Sequence, residues 1–416
     1  MIKKIIVSLC LLISFTALAQ EGTSSAYSFY GIGDIRFKGT VDTRAMGGIS
    51  VFPDSIHINI QNPAHFASLK FTTFGVAGTY NTTNYKTETQ EQRSKRTTLD
   101  YFAVGIPAGK LGFAIALYPY SSVGYKIQNI SSDATPVFSR YGGVGGVNRV
   151  FAGAGYQLTK KINIGVDIQY NFGTIETTSL RFINTVQYGT REKNNSNLQG
   201  LNADFGITYQ TKLKGNRSFF SSLTYTPQSE MKLNNARSIE IIQFLNSGAV
   251  GVIESEDINV EDTNIKIPSK LTFGTGYGRV KNWLIGGEIS LIENSVMSNR
   301  FNDIDDAYFE NTVRYNLGGY FIPNYNSYSN YFKRVTYRAG LRYENTGLVI
   351  QNKSITDFAG TFGLGLPING TFSNINIAVE IGKRGTKYNN LVEENYINFV
   401  IGLSFNDRWF VKRKFD

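Results

Sequence analysis

From Lys70 onward, apolar and aromatic residues fall at alternate positions in runs of about 10 to 14 residues, separated by turn formers. A period of two is that of a strand whose faces meet different surroundings. The runs are 70–80, 97–107, 110–120, 147–158, 161–174, 198–211, 217–231, 267–279, 282–293, 312–322, 334–347, 356–368, 373–385 and 396–405. They number fourteen, an even count, as a bacterial barrel with both ends on one side requires. The pattern predicts an all-β fold, a 14-stranded antiparallel transmembrane β-barrel.

The connections alternate in length. Those after even-numbered runs are mostly short, such as Ala108-Gly109 and Thr159-Lys160, while 81–96, 121–146, 175–197 and 232–266 are long. Short turns face the periplasm and long loops the exterior in such barrels. One connection breaks the rule: 323–333, PNYNSYSNYFK, should be periplasmic and is too long. This suggests that runs ten and eleven are misplaced by several residues.

Two stretches do not fit the wall. MIKKIIVSLCLLISFTALA, residues 1–19, has Lys3 and Lys4 ahead of an apolar run and reads as a cleaved secretory signal peptide. Residues 43–71 carry Gly47-Gly48, Pro53 and the Asn62-Pro63 step, which break strand geometry. No apolar stretch after Gln20 reaches the roughly 18 to 20 residues of a membrane helix, so a membrane location requires a closed barrel.

Composition narrows the function classes. The formal net charge is +10, nearer +8 without the two leader lysines, and the charges are scattered over turns and loops rather than gathered on a basic helix. That distribution argues against nucleic acid as a partner. Cys10, the only cysteine, lies in the leader, so a mature protein without disulfides or lipid anchor is expected. No cofactor is expected. The two histidines, His57 and His65, lack a carboxylate or thiolate repeat for a metal, and Asp54, Ser55 and His57 are too close in sequence to converge as a triad. An enzyme is therefore not expected.

Several segments carry two readings. Residues 238–262 include Ile239, Ile241, Ile242, Phe244, Leu245 and Val252, too apolar for an ordinary external loop. They form a local mini-core, an apolar docking surface with Ile241, Ile242, Phe244, Leu245 and Val252 as its residues, or both at once. Tyr141 to Gly146 reads as a flexible external loop rather than a phosphate cradle, lacking a following helix and Lys. Recurrent Gly-x-Gly pairs, Gly153/Gly155, Gly274/Gly276 and Gly363/Gly365, mark curvature or places where other backbone meets the wall. The acidic clusters at 254–262 and 303–306 are solvated loop charge or divalent-cation sites bridging lipopolysaccharide. Ile401, Leu403 and Phe405 read as a lipid-facing row, and the basic tail 406–416 as periplasmic.

Arg44-Ala45-Met46-Gly47-Gly48, then Asp54, then Asn62-Pro63-Ala64, is similar to the N-terminal run of the FadL family, outer-membrane transporters of long-chain fatty acids and other hydrophobic compounds. Ile267-Pro268-Ser269-Lys270-Leu271-Thr272-Phe273-Gly274, continuing to Trp283, Gly286, Gly287 and Glu288, is similar to that family's mid-barrel strand, turn and strand. The likeness spans most of the mature chain, in a form resembling members from Bacteroidetes-like bacteria.

The resemblance implies a hatch or plug over residues 20–68, a barrel over 69–405, and passive uptake of hydrophobic small molecules such as fatty acids through a monomer among outer-membrane lipids. Gating would fall on Arg44, Gly47, Gly48, Asp54, Asn62, Pro63 and Ala64, with an apolar pocket beside the hatch. A lateral gap would open where the third strand kinks, here at Pro119 and Gly124, although Pro119 could equally end that strand at the rim. An alternative is a barrel of the same fold serving as a binding or shuttle subunit for protein secretion, and a third is a general porin.

Overall fold

The computed structural model describes residues 22–131, 136–183, 186–244, 250–300 and 306–409. The proposed signal peptide, Leu245, Asp303 and Asp305, and the end of the tail lie outside them. A two-residue strand, β1 (Asp34–Ile35), precedes the wall, which runs from β2 (Thr72–Lys86) through β3 (Glu91–Ala108), β4 (Leu111–Val123), β5 (Lys126–Ile130), β6 (Val137–Gln157), β7 (Ile162–Ile183) and β8 (Tyr188–Leu213). It continues as β9 (Arg217–Thr226), β10 (Ser229–Phe244), β11 (Val250–Ile258), β12 (Thr263–Ile267), β13 (Lys270–Arg279), β14 (Trp283–Ile292), β15 (Ala307–Phe309) and β16 (Thr312–Phe321). It ends with β17 (Thr336–Ile350), β18 (Lys353–Pro367), β19 (Asn374–Arg384) and β20 (Glu393–Asp407).

Antiparallel pairing of β2 with β20, from Thr72↔Asp407 to Lys86↔Glu393, closes the sheet. Around the circumference there are fourteen wall positions. β9 and β10 share one, interrupted at Pro227, and β12 and β13 share another, interrupted at Pro268.

Alternation becomes two faces. On β7 Val166, Ile168 and Tyr170 are exposed toward lipid, whereas Asp167, Gln169 and Asn171 are buried toward the lumen. Ile401 and Phe405 are exposed and Leu403 half-buried, so the last strand has its lipid row.

Runs ten and eleven need no correction beyond three residues, and the connection that should have been short is in fact long: 322–335 folds on itself, with Asn324 N donating to Lys333 O at 2.8 Å. Three expected loops are instead strand. The described residues of the connections at 81–96, 175–197 and 232–266 lie mostly in hairpin extensions of the wall, and Tyr141 to Gly146 lies within β6, where a Cβ on Gly145 would sit 2.0 Å from Thr174 O. The β10–β11 hairpin is no mini-core: Ile242 is buried, but Ile239, Ile241, Val252 and Ile253 are exposed. Phe244 pairs with Val250 through backbone, and its side chain lies outside the described residues.

Candidate functional site

The segment that precedes the wall packs against inward-facing wall positions, in part on two rows of wall glycines. Gly112, Gly155, Gly165 and Gly206 are successive cross-strand partners on β4, β6, β7 and β8. A helical turn, Pro63–Ser68, rests on that row: a Cβ on Gly112 would lie 1.8 Å from Phe66 O, and one on Gly206 2.0 Å from Asn62 Oδ1. Asn62 caps the turn, its Oδ1 accepting from Ala64 N at 3.0 Å, and Pro63 occupies the first turn, where its missing N–H costs nothing. Asn62 and Ala64 are fully buried.

The second row is Gly276, Gly286, Gly318 and Gly340, again cross-strand partners, on β13, β14, β16 and β17. It receives the other break in the lumenal segment. A Cβ on Gly318 would lie 2.2 Å from Met46 O, and one on Gly340 2.2 Å from Gly47 N. Gly47 has φ +70°, and a side chain there would reach 2.7 Å from two wall carbonyls, so only glycine fits. Gly48, with φ +91°, packs against Phe37 and Asn316. Of the Gly-x-Gly pairs, Gly155, Gly276 and Gly363 meet the lumenal segment, whereas Gly153, Gly274 and Gly365 face wall side chains.

Buried charges fasten the same segment. Arg44, ending the helical turn Val41–Arg44, donates from Nε to Glu380 Oε2 at 2.8 Å and from Nη1 to Thr79 Oγ1 at 3.1 Å. Glu380 also meets Arg342 at 2.9 Å. Lys38 pairs with Asp204, and Arg384 donates to Asp34 at 2.5 Å. Ser50 N donates to Glu288 Oε1 at 2.6 Å. Asp54 Oδ2 lies 2.8 Å from His57 Nδ1, and Asn376 lies 3.0 Å from His57 Nε2, so both ring nitrogens are engaged and no triad exists. Burial would lower the His57 pKa, but the Asp54 and Asp42 carboxylates outweigh it and raise it. Burial would raise that of Asp54, but His57 brings it down to about 2. His65, fully enclosed, is lowered by burial to about 4 and stays neutral.

Above these contacts lies a cavity of about 300 Å³ whose lining includes Arg36, Lys38, Asp204, Lys270, Glu288 and Arg314. Its lining mixes these charges with apolar side chains such as Ile35, Phe37, Ile267, Met297 and Leu348, so it is more polar than the apolar pocket that the resemblance implies. Inward positions on these strands carry charge because the lumen is polar, and sequence reasoning overlooked them. The available signal was the solitary acid within an apolar strand, as in Trp283–Ile292 and Asn374–Arg384.

The wall is split beside this cavity. β3 and β4 pair only from Ala108↔Leu111 to Phe102↔Leu117. Beyond Leu117, β4 continues through Pro119 with a bulge at Tyr120, staying paired to β6 up to Val123. It turns inward, since Ser121, Ser122 and Val123 are buried and Gly124 N donates to Ser28 Oγ at 3.2 Å. Pro119 thus does not end the strand. β1 fills the split by pairing Asp34 with Ser122 and Ile35 with Ser121, and Arg36 N donates to Tyr120 O at 2.9 Å. On the β3 side Arg36 donates to Thr98 Oγ1 at 3.0 Å.

A closed 14-stranded antiparallel barrel with an apolar outer band and a polar inner face has the architecture of an outer-membrane β-barrel. The chain belongs to the BamG family, whose model matches residues 1–416. Among solved structures it is similar to the toluene transporter TbuX of Ralstonia pickettii, at 14% identity and TM-score 0.59 over 89% of this chain and 99% of that one. It is also similar to the toluene transporter TodX of Pseudomonas putida (16%, TM-score 0.57, 91% and 100%) and to a Pseudomonas aeruginosa FadL homologue (10%, TM-score 0.60, 89% and 98%). At these identities the likeness is one of fold. A search of curated protein sequences returns no match.

Proposed function

We propose that the chain is an outer-membrane channel that takes up hydrophobic or amphipathic molecules, long-chain fatty acids among them, and passes them sideways into the membrane, with residues 22–71 as the gate. The observation that carries this reading is the split between β3 and β4, closed only by β1. The charged cavity beside it favours an amphiphile over a bare hydrocarbon, the head group meeting Arg36 and Lys38 while the tail leaves through the split. Transfer of the tail contributes about 0.8 kcal/mol per methylene, so no covalent step is needed. The proteins named above as toluene transporters support the reading by analogy of fold. The test is uptake of labelled oleate by cells with no other route: the chain should restore uptake, and Ile35→Trp, which fills the split, should lower it. Uptake at background with a correctly folded chain would sink the proposal.

A second reading, a binding or shuttle subunit for secreted proteins, is favoured by one observation. The lumenal segment is fastened by buried ion pairs and seated on two glycine rows, so the barrel is closed at rest. It predicts near-zero conductance in planar bilayers and no fatty acid in a mass spectrum of the purified protein. A general porin predicts large conductance instead.

A further inference from the structure

Charge is distributed unequally between the two ends of the wall. The outer extensions carry both signs, several of them paired: Arg191 and Lys193 hold Glu240, Lys232 holds Asp262, and Arg237 lies 3.2 Å from Glu192. The inner turns carry Lys110, Lys160, Lys161, Lys212, Lys214, Arg217, Arg279, Lys281, Lys333, Arg334 and Arg408 against one described acid, Asp407. None of these eleven cations forms an ion pair among the described residues.

Four of the inner connections are tied into one surface. Arg279 Nη2 reaches Gly215 O at 3.5 Å, Lys281 Nζ lies 4.3 Å from the centre of the Tyr325 ring, and Arg334 Nη2 donates to Asn369 Oδ1 at 2.8 Å. From that surface stands the 322–335 connection, the longest at this end, ordered by its own hydrogen bonds. Tyr328 at its tip is 101% exposed and Phe332 71%. An ordered loop that leaves two aromatic rings in water beside unpaired lysines has the make-up of a protein-binding centre, in which aromatic anchors supply affinity and charge supplies steering.

We propose that this inner face docks a periplasmic protein with an acidic surface, Tyr328 and Phe332 anchoring it and Lys212, Lys214, Lys281 and Lys333 matching its carboxylates. The inference is independent of the uptake reading, since it uses no residue of the lumen or the split. Contact with anionic phospholipid headgroups is the competing occupant. It would account for cations at the rim but leaves the localised, self-ordered aromatic loop without a role.

The test places a photo-crosslinking phenylalanine analogue at Tyr328 of the full chain in its native cells. A discrete protein adduct, identified by mass spectrometry as an acidic periplasmic protein, is expected. Reversing Lys212, Lys214, Lys281 and Lys333 to Glu should lower its yield at least about tenfold, and reversing Lys110 and Lys160 should lower it less. Heat-dependent gel mobility verifies that each variant is folded, and the purified partner should bind the barrel less tightly as salt rises. Adducts to lipid alone, with less copurified phosphatidylglycerol in the reversed variant, would overturn the proposal in favour of headgroup contact. A protein adduct indifferent to the four reversals, or no adduct from a folded chain that carries the analogue at Tyr328 and all four lysines, would overturn it as well.

Discussion

Gly112→Ala is the sharpest perturbation of the proposed gate. The added Cβ would stand 1.8 Å from Phe66 O and 2.4 Å from Phe66 C, whereas real Cβ atoms keep about 3.0 Å, so the two backbones must part by at least about 1.2 Å. Neither side yields easily. Gly112 is bonded into the ladder between Pro107 of β3 and Gly155 of β6, and Phe66 is fully buried and stacked on Phe151 at a centroid distance of 6.0 Å. Overpacking of a fixed contact costs about 1 to 3 kcal/mol. If that cost falls on the seated state alone, the population with the turn unseated rises roughly 5- to 150-fold. Single-channel recording in planar bilayers reads this directly: openings should be rare in the parent and more frequent by that factor in the variant. Gly318→Ala, whose Cβ would meet Met46 O at 2.2 Å in the other row, should act alike, while Gly142→Ala, with nothing within 4 Å, should not. A folded Gly112→Ala barrel as quiet as Gly142→Ala would refute the claim that glycine rows seat the gate.

Glu380→Met should destabilise the barrel by about 1.5 to 3 kcal/mol in urea unfolding, because Arg44 and Arg342 both lose their nearest carboxylate and keep only Asp100 at 3.6 Å and Asp357 at 3.2 Å, whereas Arg44→Met should cost less because Arg342 still holds Glu380. Asn62→Ala removes the cap on Ala64 N and should cost about 0.5 to 2 kcal/mol by the same measurement. The Asp54–His57 pair should make stability depend on pH. The raised pKa of His57 gives a contribution complete below its ordinary 6.5 and lost as pH rises through the raised value, while that of Asp54 is complete above 3.8 and lost as pH falls through about 2. His57→Gln should therefore flatten the alkaline limb of an unfolding-versus-pH curve; an unchanged limb would show that the pair does not fasten the segment.

The wall was legible because a membrane imposes its own alphabet. Lipid on one side and a filled lumen on the other force alternation along every strand, so β14 and β16 could be placed within about a residue from letters alone. The non-strand character of residues 43–71 was equally legible, since Gly47-Gly48 and Asn62-Pro63 each violate strand geometry locally. What those breaks touch was not. Gly112, Gly155, Gly165 and Gly206 are spread over 95 positions and become one row only through register, which depends on every bulge between them. The nature of the lumen was misjudged for a different reason. Asp167, Gln169 and Asn171 alternate with Val166, Ile168 and Tyr170 as plainly as any residues in the chain, and in a lipid-embedded wall the polar row can only face inward. Three consecutive polar positions on one inward face require a wet or ion-paired interior. A single strand therefore held the argument for a polar inner face, and by the same logic Glu288 and Glu380 had to find donors on the lumenal side of the wall. They find them in part in Ser50 and Arg44, four residues or fewer from Gly47 and Gly48, on a stretch of chain that does not join the wall.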